Sequence, residues 1–253
     1  MEAIYKNSYV IGYSDVDFMK ELKMSSVFNY FQDTASKAVE HLGIGMDVLT
    51  EMYSVVWVLL RMRVEIERIP SLYEAITVET WPHPPGKLEF KRDYTVNAAD
   101  GSTILSATSN WVIMDVNTRE LKRSELISEL YKFPEFTKEH SIDHKFAKLK
   151  PFGQLDVAYK KVIGYSDVDF IGHINNTRYI DYIMDCFPVA SHRQYCIKAI
   201  EVNYIKEAFP GDTLVMYKDV SALDSNTVYI EGINETDGKP AFKALVEITP
   251  RQR

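Results

Sequence analysis

One stretch of nine residues occurs twice in this chain without a single change. The sequence Val-Ile-Gly-Tyr-Ser-Asp-Val-Asp-Phe fills residues 10–18 and again residues 162–170 of the 253-residue chain. A spacing of more than half the chain is too long for a solenoid repeat and indicates two copies of one domain. Copy one continues with Met-Lys-Glu-Leu-Lys-Met, and copy two with Ile-Gly-His-Ile-Asn-Asn. Because only copy two gains a histidine and two asparagines, we predict that the chemistry lies there.

The same order of elements is predicted in both copies. Each begins with a short strand, at residues 9–13 or 160–165, and a helix follows at residues 25–41 or 175–186, where apolar residues recur at helical spacing. Strands come next. They are predicted over residues 55–66, 75–81 and 104–115 in copy one, and over residues 197–205, 213–219 and 241–248 in copy two.

Each copy also carries an Asp-Gly pair between two strands, at Asp100 and at Asp237. Asp-Gly in this setting is a strong hairpin signal, so the strands following the helix are antiparallel. The fold class is therefore α+β, with a sheet curled around one long helix in each copy. We predict an N-terminal domain at residues 1–120, a linker at 121–154 and a C-terminal domain at 155–253.

Composition excludes several classes of function. The formal net charge is −7 and no basic tract is present, so nucleic-acid binding is not expected. No apolar run approaches the ~20 residues that cross a bilayer, and no secretion signal is visible at the start. Cys186 and Cys196 form no disulfide framework, which favours a reducing cytoplasm. We expect no metal and no cofactor, because phosphate loops and metal-spaced His or Cys sets are lacking.

The residues after the second repeat resemble a known family. The pattern of a strand, Ser-Asp-x-Asp, Gly-His-x-Asn-Asn and a helix, at residues 166–176, is similar to the hot-dog thioesterases. The two-copy layout resembles the acyl-acyl-carrier-protein thioesterases of plants and bacteria. Further matching stretches lie at residues 31–35, 41–43, 55–61, 78–81, 86–92, 109–112 and 173–179.

The resemblance implies a tandem double hot-dog that hydrolyses fatty acyl thioesters of the carrier protein to free fatty acid. It implies catalytic roles for Asp169, His173 and Glu207. Asp169 would orient a water molecule or attack the carbonyl carbon, and His173 and Glu207 would act as acid/base and orienting partners. Backbone N–H groups at a helix start near Gly172 and His173 would stabilise the oxyanion.

Other residues are expected to contact the substrate. Gly172, Asn175 and Asn176 are predicted near the carbonyl group. Phe28 and Phe31, on the longer helix of copy one, are predicted to line the acyl-chain pocket.

Two positions depart from the family pattern. Plant members carry an asparagine where this chain has Ile171, so a side-chain role is excluded there. They often carry a cysteine beside the catalytic glutamate, where this chain has Ala208, which excludes a cysteine nucleophile at that position.

Simpler interpretations of the same residues stay open. In the simpler interpretation, Asp169 caps the helix and has no catalytic role. Glu67 occupies the place of Glu207 in copy one, so a turn-capping role would explain both. Asp17, the partner of Asp169 in copy one, is predicted to be a structural cap or turn residue.

An acidic carrier protein docking on an acidic enzyme needs a local basic patch. The candidates are Arg178, Lys198, Lys206 and the linker lysines Lys132, Lys138, Lys145, Lys148 and Lys150. A homodimer is left open.

Three alternatives to an acyl-carrier-protein thioesterase remain. They are an acyl-CoA thioesterase of the same fold, a hot-dog dehydratase, which the Asp-x-x-x-His spacing disfavours, and a non-catalytic acyl-binding protein.

Overall fold

The chain divides into two compact units in a computed structural model that describes residues 4–131 and 139–251. The first unit comprises Met1–Met62 and Glu67–His144, and the second comprises Arg63–Ile66 and Lys145–Arg253. In the described part of the chain, no helix has both the length and the apolar character needed to cross a bilayer. The domain and linker boundaries drawn from the sequence stay predictions.

The first unit is an antiparallel sheet with a long helix. Its elements, in chain order, are β1 (Tyr5–Val10), α1 (Met24–His41), α2 (Met46–Tyr53), β2 (Val55–Ile66), β3 (Ala75–Pro82), β4 (Phe90–Ala98), β5 (Thr103–Asp115), β6 (Leu121–Lys122) and α3 (Glu125–Leu130). The strand order is β1-β3-β4-β5-β2, and β6 pairs with β5. Helix α2 lies in the segment that makes copy one longer than copy two.

The second unit repeats this plan. Its elements are β7 (Asp156–Val162), α4 (Asn176–Asp185), α5 (Val189–His192), β8 (Tyr195–Tyr204), β9 (Thr213–Asp219), β10 (Thr227–Asn234) and β11 (Pro240–Pro250). The strand order is β7-β9-β10-β11-β8, which is the order of the first unit element for element. The predicted α+β class and the duplication are confirmed.

Apolar faces of the helices and strands build a core in each unit. In the first, α2, α3 and the central strands bury a cluster of Ile44, Leu49, Val55, Phe90, Ile113 and Ile127. In the second, Ile180 and Ile183 of α4 are fully buried, and the ring of Tyr179 packs against Phe242 of β11. Phe31 of α1 packs against Tyr94 of β4, so the main helix of each unit lies on the sheet of that unit, as the predicted amphipathic pattern requires.

The repeated nine residues are mostly turn and not strand. We predicted strands at 9–13 and 160–165, but β1 ends at Val10 and β7 ends at Val162. After each strand a glycine N–H donates to an aspartate Oδ2: Gly12 to Asp15 at 2.9 Å, and Gly164 to Asp167 at 2.8 Å. This bond closes a 3₁₀ turn and prevents the strand from continuing. The repeat therefore forms the same turn in both copies. In each copy this turn connects the first strand to the segment that leads into the helix.

Candidate active site

Asp169 and His173 lie at the two ends of one closed turn. The Asp169 N–H donates to the His173 carbonyl at 2.9 Å, and the Gly172 N–H donates to the Asp169 carbonyl at 3.0 Å. One carboxylate oxygen of Asp169 accepts from the Ile171 N–H at 3.0 Å. Gly172 has φ +89°, a conformation that favours glycine. Backbone hydrogen bonds therefore hold these two residues in a defined relation.

Copy one contains the same turn with different side chains. The Asp17 N–H donates to the Glu21 carbonyl at 2.8 Å, and Lys20 takes the place of Gly172 with φ 63°. The Asp17 carboxylate accepts from the N–H groups of Met19 and Glu21. Asp17 is therefore a turn residue, as predicted. The turn is a feature of both copies, and only copy two has a histidine at its end.

The helix of copy two, α4, begins later than the helix start that was predicted to stabilise the oxyanion. Helix α4 begins at Asn176, and its N-cap is Asn175, whose side chain accepts from the Thr177 N–H at 2.9 Å. Asp169 is not the cap of this helix, so that simpler interpretation is wrong. The prediction of a helix start at Gly172 and His173 is also wrong, because the chain closes the turn before it enters the helix. The Gly172 N–H is already bonded within that turn.

Glu207 meets His173 from the segment after β8. Its Oε1 lies 3.4 Å from Nδ1 of His173, with side chains 31% and 24% exposed. The two segments are joined by a hydrogen bond from the Ile174 N–H to the Ala208 carbonyl at 3.3 Å. The ring of Phe209 lies edge-on to the His173 imidazole, with centroids 5.1 Å apart. Three separate contacts thus bring Glu207 and His173 together.

Tyr179, which the sequence analysis did not single out, lies within the electrostatic field of the site. Burial raises the pKa of its hydroxyl, a hydrogen bond with the Ala208 backbone opposes this, and the charges of Glu207 and Asp169 raise the pKa further. Tyr179 is 4% exposed and stays neutral at physiological pH. Its position six residues after His173 on an apolar helix face is typical of core residues, so no sequence signal marked it.

Cys186 and Cys196 are free thiols. Cys186 is buried, and burial raises its pKa to about 12. Its Sγ donates to the Tyr182 carbonyl at 3.4 Å. A thiol with this pKa is almost entirely protonated at neutral pH and is a poor nucleophile.

The remaining predicted residues occupy other environments. Phe28 and Phe31 of α1 are 3% and 1% exposed in the first unit, and Phe31 packs on Tyr94 at 4.9 Å between centroids. Among the candidate docking bases, Arg178 pairs with Asp181 at 3.1 Å, and Lys206 pairs with Asp237. Lys198 donates to the Ile66 carbonyl at 3.0 Å. Lys132 and Lys138 lie outside the described residues.

Sequence comparison identifies relatives across most of the chain. It is 27% identical over 227 residues to oleoyl-acyl carrier protein thioesterase 2 of Arabidopsis thaliana, covering 82% of this chain and 60% of the relative. It is 26% identical over 244 residues to a palmitoyl-acyl carrier protein thioesterase of Gossypium hirsutum, covering 92% and 58%. Both relatives are chloroplastic, and the chain spans about 60% of their length.

Solved structures match over the whole chain. An acyl-ACP thioesterase from Bacteroides thetaiotaomicron has a TM-score of 0.86 at 27% identity, covering 98% of both chains. A 12:0-ACP thioesterase from Umbellularia californica has a TM-score of 0.86 at 19% identity, covering 99% of both, and supports the fold. The predicted double hot-dog fold is thereby confirmed. Residues 2–132 match the acyl-ACP thioesterase N-terminal domain and residues 139–244 match the C-terminal domain, so the chain belongs to the acyl-ACP thioesterase family.

Proposed function

We propose that this protein hydrolyses fatty acyl thioesters of acyl carrier protein, releasing free fatty acid and ending chain elongation. The observation that carries the proposal is the contact between His173 Nδ1 and Glu207 Oε1 at 3.4 Å, placed at the turn that also holds Asp169. A carboxylate, an imidazole and a second carboxylate are the groups that water activation and proton transfer need. Membership of the family supports the substrate class.

The reaction divides between these three side chains. Glu207 orients the His173 imidazole through Nδ1 and stabilises its protonated form, so Nε2 is assigned to proton transfer. Asp169 either orients the attacking water or attacks the carbonyl carbon itself. In both routes the C–S bond breaks, a C–O bond forms, and the departing sulfur receives a proton through His173. In the second route water then hydrolyses the acyl-aspartate anhydride.

Gly172, Asn175 and Asn176 stay proposed contacts for the thioester group. A Cβ placed on Gly172 would meet no atom within 4 Å, so the space beside the turn is open. The Tyr204 hydroxyl donates to the Asn176 carbonyl at 3.2 Å, which anchors the first residue of α4 to β8. An oxyanion site would need donors other than the Gly172 N–H, since that group already serves the turn.

The acyl carrier protein is the proposed partner, and a homodimer stays open. Because Arg178 and Lys206 already pair with carboxylates, docking would have to exchange these ion pairs for contacts with the carrier protein. We place the protein in a cytoplasmic, reducing compartment, in fatty acid biosynthesis; the free thiols of Cys186 and Cys196 are consistent with that location. No nucleic acid, membrane or cofactor enters the proposal.

Turnover of matched acyl-ACP and acyl-CoA substrates tests the function. We expect hydrolysis with a higher kcat/KM for the carrier-protein thioester. Glu207→Gln should lower kcat by about 10²-fold, within the usual range for an acid/base group. The matched control is Glu67→Gln at the equivalent position of copy one, which should keep normal turnover. A higher kcat/KM for the CoA thioester would show that the protein is an acyl-CoA thioesterase. Absence of any hydrolysis would indicate a non-catalytic acyl-binding protein.

A further inference from the structure

A second cluster of titratable side chains lies in the first unit and contains none of the residues discussed above. It consists of His83, just after β3, Asp93 on β4, and His140 in the segment that follows α3. Each residue contributes one atom that could bind a metal ion, and these three atoms all lie within 4.8 Å of one another. In the described part of the chain it is the one group of at least three His, Cys, Asp or Glu side chains with this proximity.

The cluster occupies the face of the sheet that α1 does not cover. Tyr94, the neighbour of Asp93 on β4, contacts Phe31 of α1. Because successive side chains in a strand point to opposite faces, Asp93 points away from α1. That face is covered by His140 and Ser141. The Ser141 N–H donates to Asp93 at 2.8 Å, and the Ser141 hydroxyl donates to the Ala107 carbonyl at 2.7 Å.

Asp93 is held in one orientation. Its side chain is completely buried, its Oδ1 accepts from the Thr108 hydroxyl at 2.7 Å, and its Oδ2 accepts from the Ser141 N–H at 2.8 Å. Outer hydrogen bonds of this kind orient the carboxylate ligands of metal ions. Oδ2 is also the atom that both histidines approach.

His83 presents a buried ring nitrogen to the Asp93 carboxylate. Its side chain is 9% exposed, and its Nε2 lies 3.0 Å from Asp93 Oδ2 without an aligned hydrogen bond to any described residue. The Asp93 carboxylate is the partner of this buried nitrogen, and the two atoms face each other at a distance that a bound cation could also bridge. The His140 Nδ1 lies 3.2 Å from the same oxygen, and His140 is half exposed.

We propose that His83, Asp93 and His140 bind one divalent transition-metal ion of the Zn²⁺ type. Two of the three separations between ligand atoms, at 3.0 and 3.2 Å, are close to the ~3.3 Å edge of a tetrahedron with bonds of about 2.0 Å, and the third, between the two histidine nitrogens, is within 4.8 Å. Two imidazoles and a carboxylate favour zinc-like ions over Mg²⁺ or Ca²⁺. The histidine rings stack with centroids 3.9 Å apart, so His140 must turn to aim Nδ1 at the ion. Its exposure permits this turn. Three protein ligands around a tetrahedral ion would leave the fourth position for water.

Such an ion would fasten the segment at His140 and Ser141 to the sheet of the first unit. Its ligands come from residues far apart in sequence, so it would bind the folded chain and not the unfolded one. Binding of that kind stabilises the folded state in proportion to the logarithm of the free ion concentration, and the unfolding temperature rises with it.

Metal titration of the full chain tests the site. Metal-free protein is titrated with ZnCl₂ by calorimetry, and the bound ion is counted by elemental analysis after dialysis. We expect one ion per chain and a higher unfolding temperature. Co²⁺ in place of Zn²⁺ should give the visible absorption of a tetrahedral nitrogen and oxygen site. His140→Gln should weaken binding by at least about tenfold, because it removes a direct ligand and the loss of an outer-shell partner alone costs about that much.

His192→Gln, outside the cluster, is the matched control and should bind the ion normally. His83→Gln should abolish binding. Because His83 is buried, the fold of this variant is checked by circular dichroism. If the His83 variant does not fold, the test rests on the exposed His140 variant. Failure to retain Zn²⁺, or equal binding in the His140→Gln and His192→Gln variants, would overturn the proposal and leave the cluster as a charge pairing of two histidines with Asp93.

Discussion

His173 Nδ1 and Glu207 Oε1 lie 3.4 Å apart, although 34 positions of chain and the whole of α4 and β8 separate the two residues. The equivalent positions of copy one carry Glu21 and Glu67. Two carboxylates repel each other and cannot reproduce this imidazole–carboxylate contact. Both copies therefore contain the turn, and only copy two contains the imidazole–carboxylate pair.

Asp169→Ala should remove at least about 10²-fold in kcat, because in the proposed mechanism Asp169 orients the attacking water or attacks in its place. Asp17→Ala is the matched control in copy one. It breaks the hydrogen bonds to the N–H groups of Met19 and Glu21, so it should lower stability and leave kcat unchanged. Steady-state kinetics and thermal unfolding of both variants check this. Similar kcat losses in two folded variants would contradict the assignment of catalysis to copy two.

Turnover should not depend on a thiolate. Burial raises the pKa of Cys186 to about 12, so the thiol is protonated at neutral pH. The double variant Cys186→Ser with Cys196→Ser should keep most of the wild-type kcat, and alkylating reagents should inactivate the folded enzyme slowly. Unfolding by circular dichroism is the control, because Cys186→Ser places a hydroxyl in a buried position. A folded double variant without turnover would restore a cysteine mechanism.

The buried aromatic residues of α1 should influence chain-length preference. If Phe28 or Phe31 lines the acyl pocket, replacement by Ala lengthens it, and each additional buried CH₂ is worth about 0.8 kcal/mol. The fatty acid profile should then shift to longer chains. A core role alone would cost ~3–5 kcal/mol of stability with an unchanged profile. We expect a shift in at least one variant, measured by product analysis beside the melting temperature. Destabilisation of both without a shift would place the pocket elsewhere.

Acid stability should depend on Asp219 of β9. Burial opposes its ionisation, but hydrogen bonds from Ser221 and from the N–H groups of Gly153 and Phe152 outweigh this and lower its pKa to about 2. The ordinary value is about 3.9. A lowered folded-state pKa contributes stability above pH ~4 that is lost as the pH falls towards ~2.

Asp219→Asn should therefore lower the unfolding temperature most at neutral pH, and the difference from the wild type should shrink between about pH 4 and about pH 2. Thermal unfolding across this range measures the effect. Asp224→Asn, at an exposed position, serves as the control. A difference that is constant with pH would show that the carboxylate charge contributes nothing.

The sequence by itself determined the duplication, the main helix of each copy and the antiparallel hairpins; α2 and α5 were not predicted. Helix periodicity located α1 and α4 to within one residue, and β2 and β9 begin and end where predicted, because apolar spacing and breaker residues act locally. Asp169 and His173 stay predicted site residues, and the structure places both in one short turn. Local signals fail at the ends of the first strands: the predicted strand at residues 9–13 ends at Val10, because a hydrogen bond from Gly12 to Asp15 begins the turn there.

Tertiary structure alone decided which distant side chains meet. His83, Asp93 and His140 share no spacing that a pattern could detect. Strand register places Asp93 opposite Trp81, and His83 follows Trp81 by two residues. His140 reaches them because its neighbour Ser141 is bonded to the Asp93 carboxylate. The contact between His173 and Glu207 likewise depends on the path of β8. Such pairings follow from long-range strand register and packing, which periodicity along one segment does not encode.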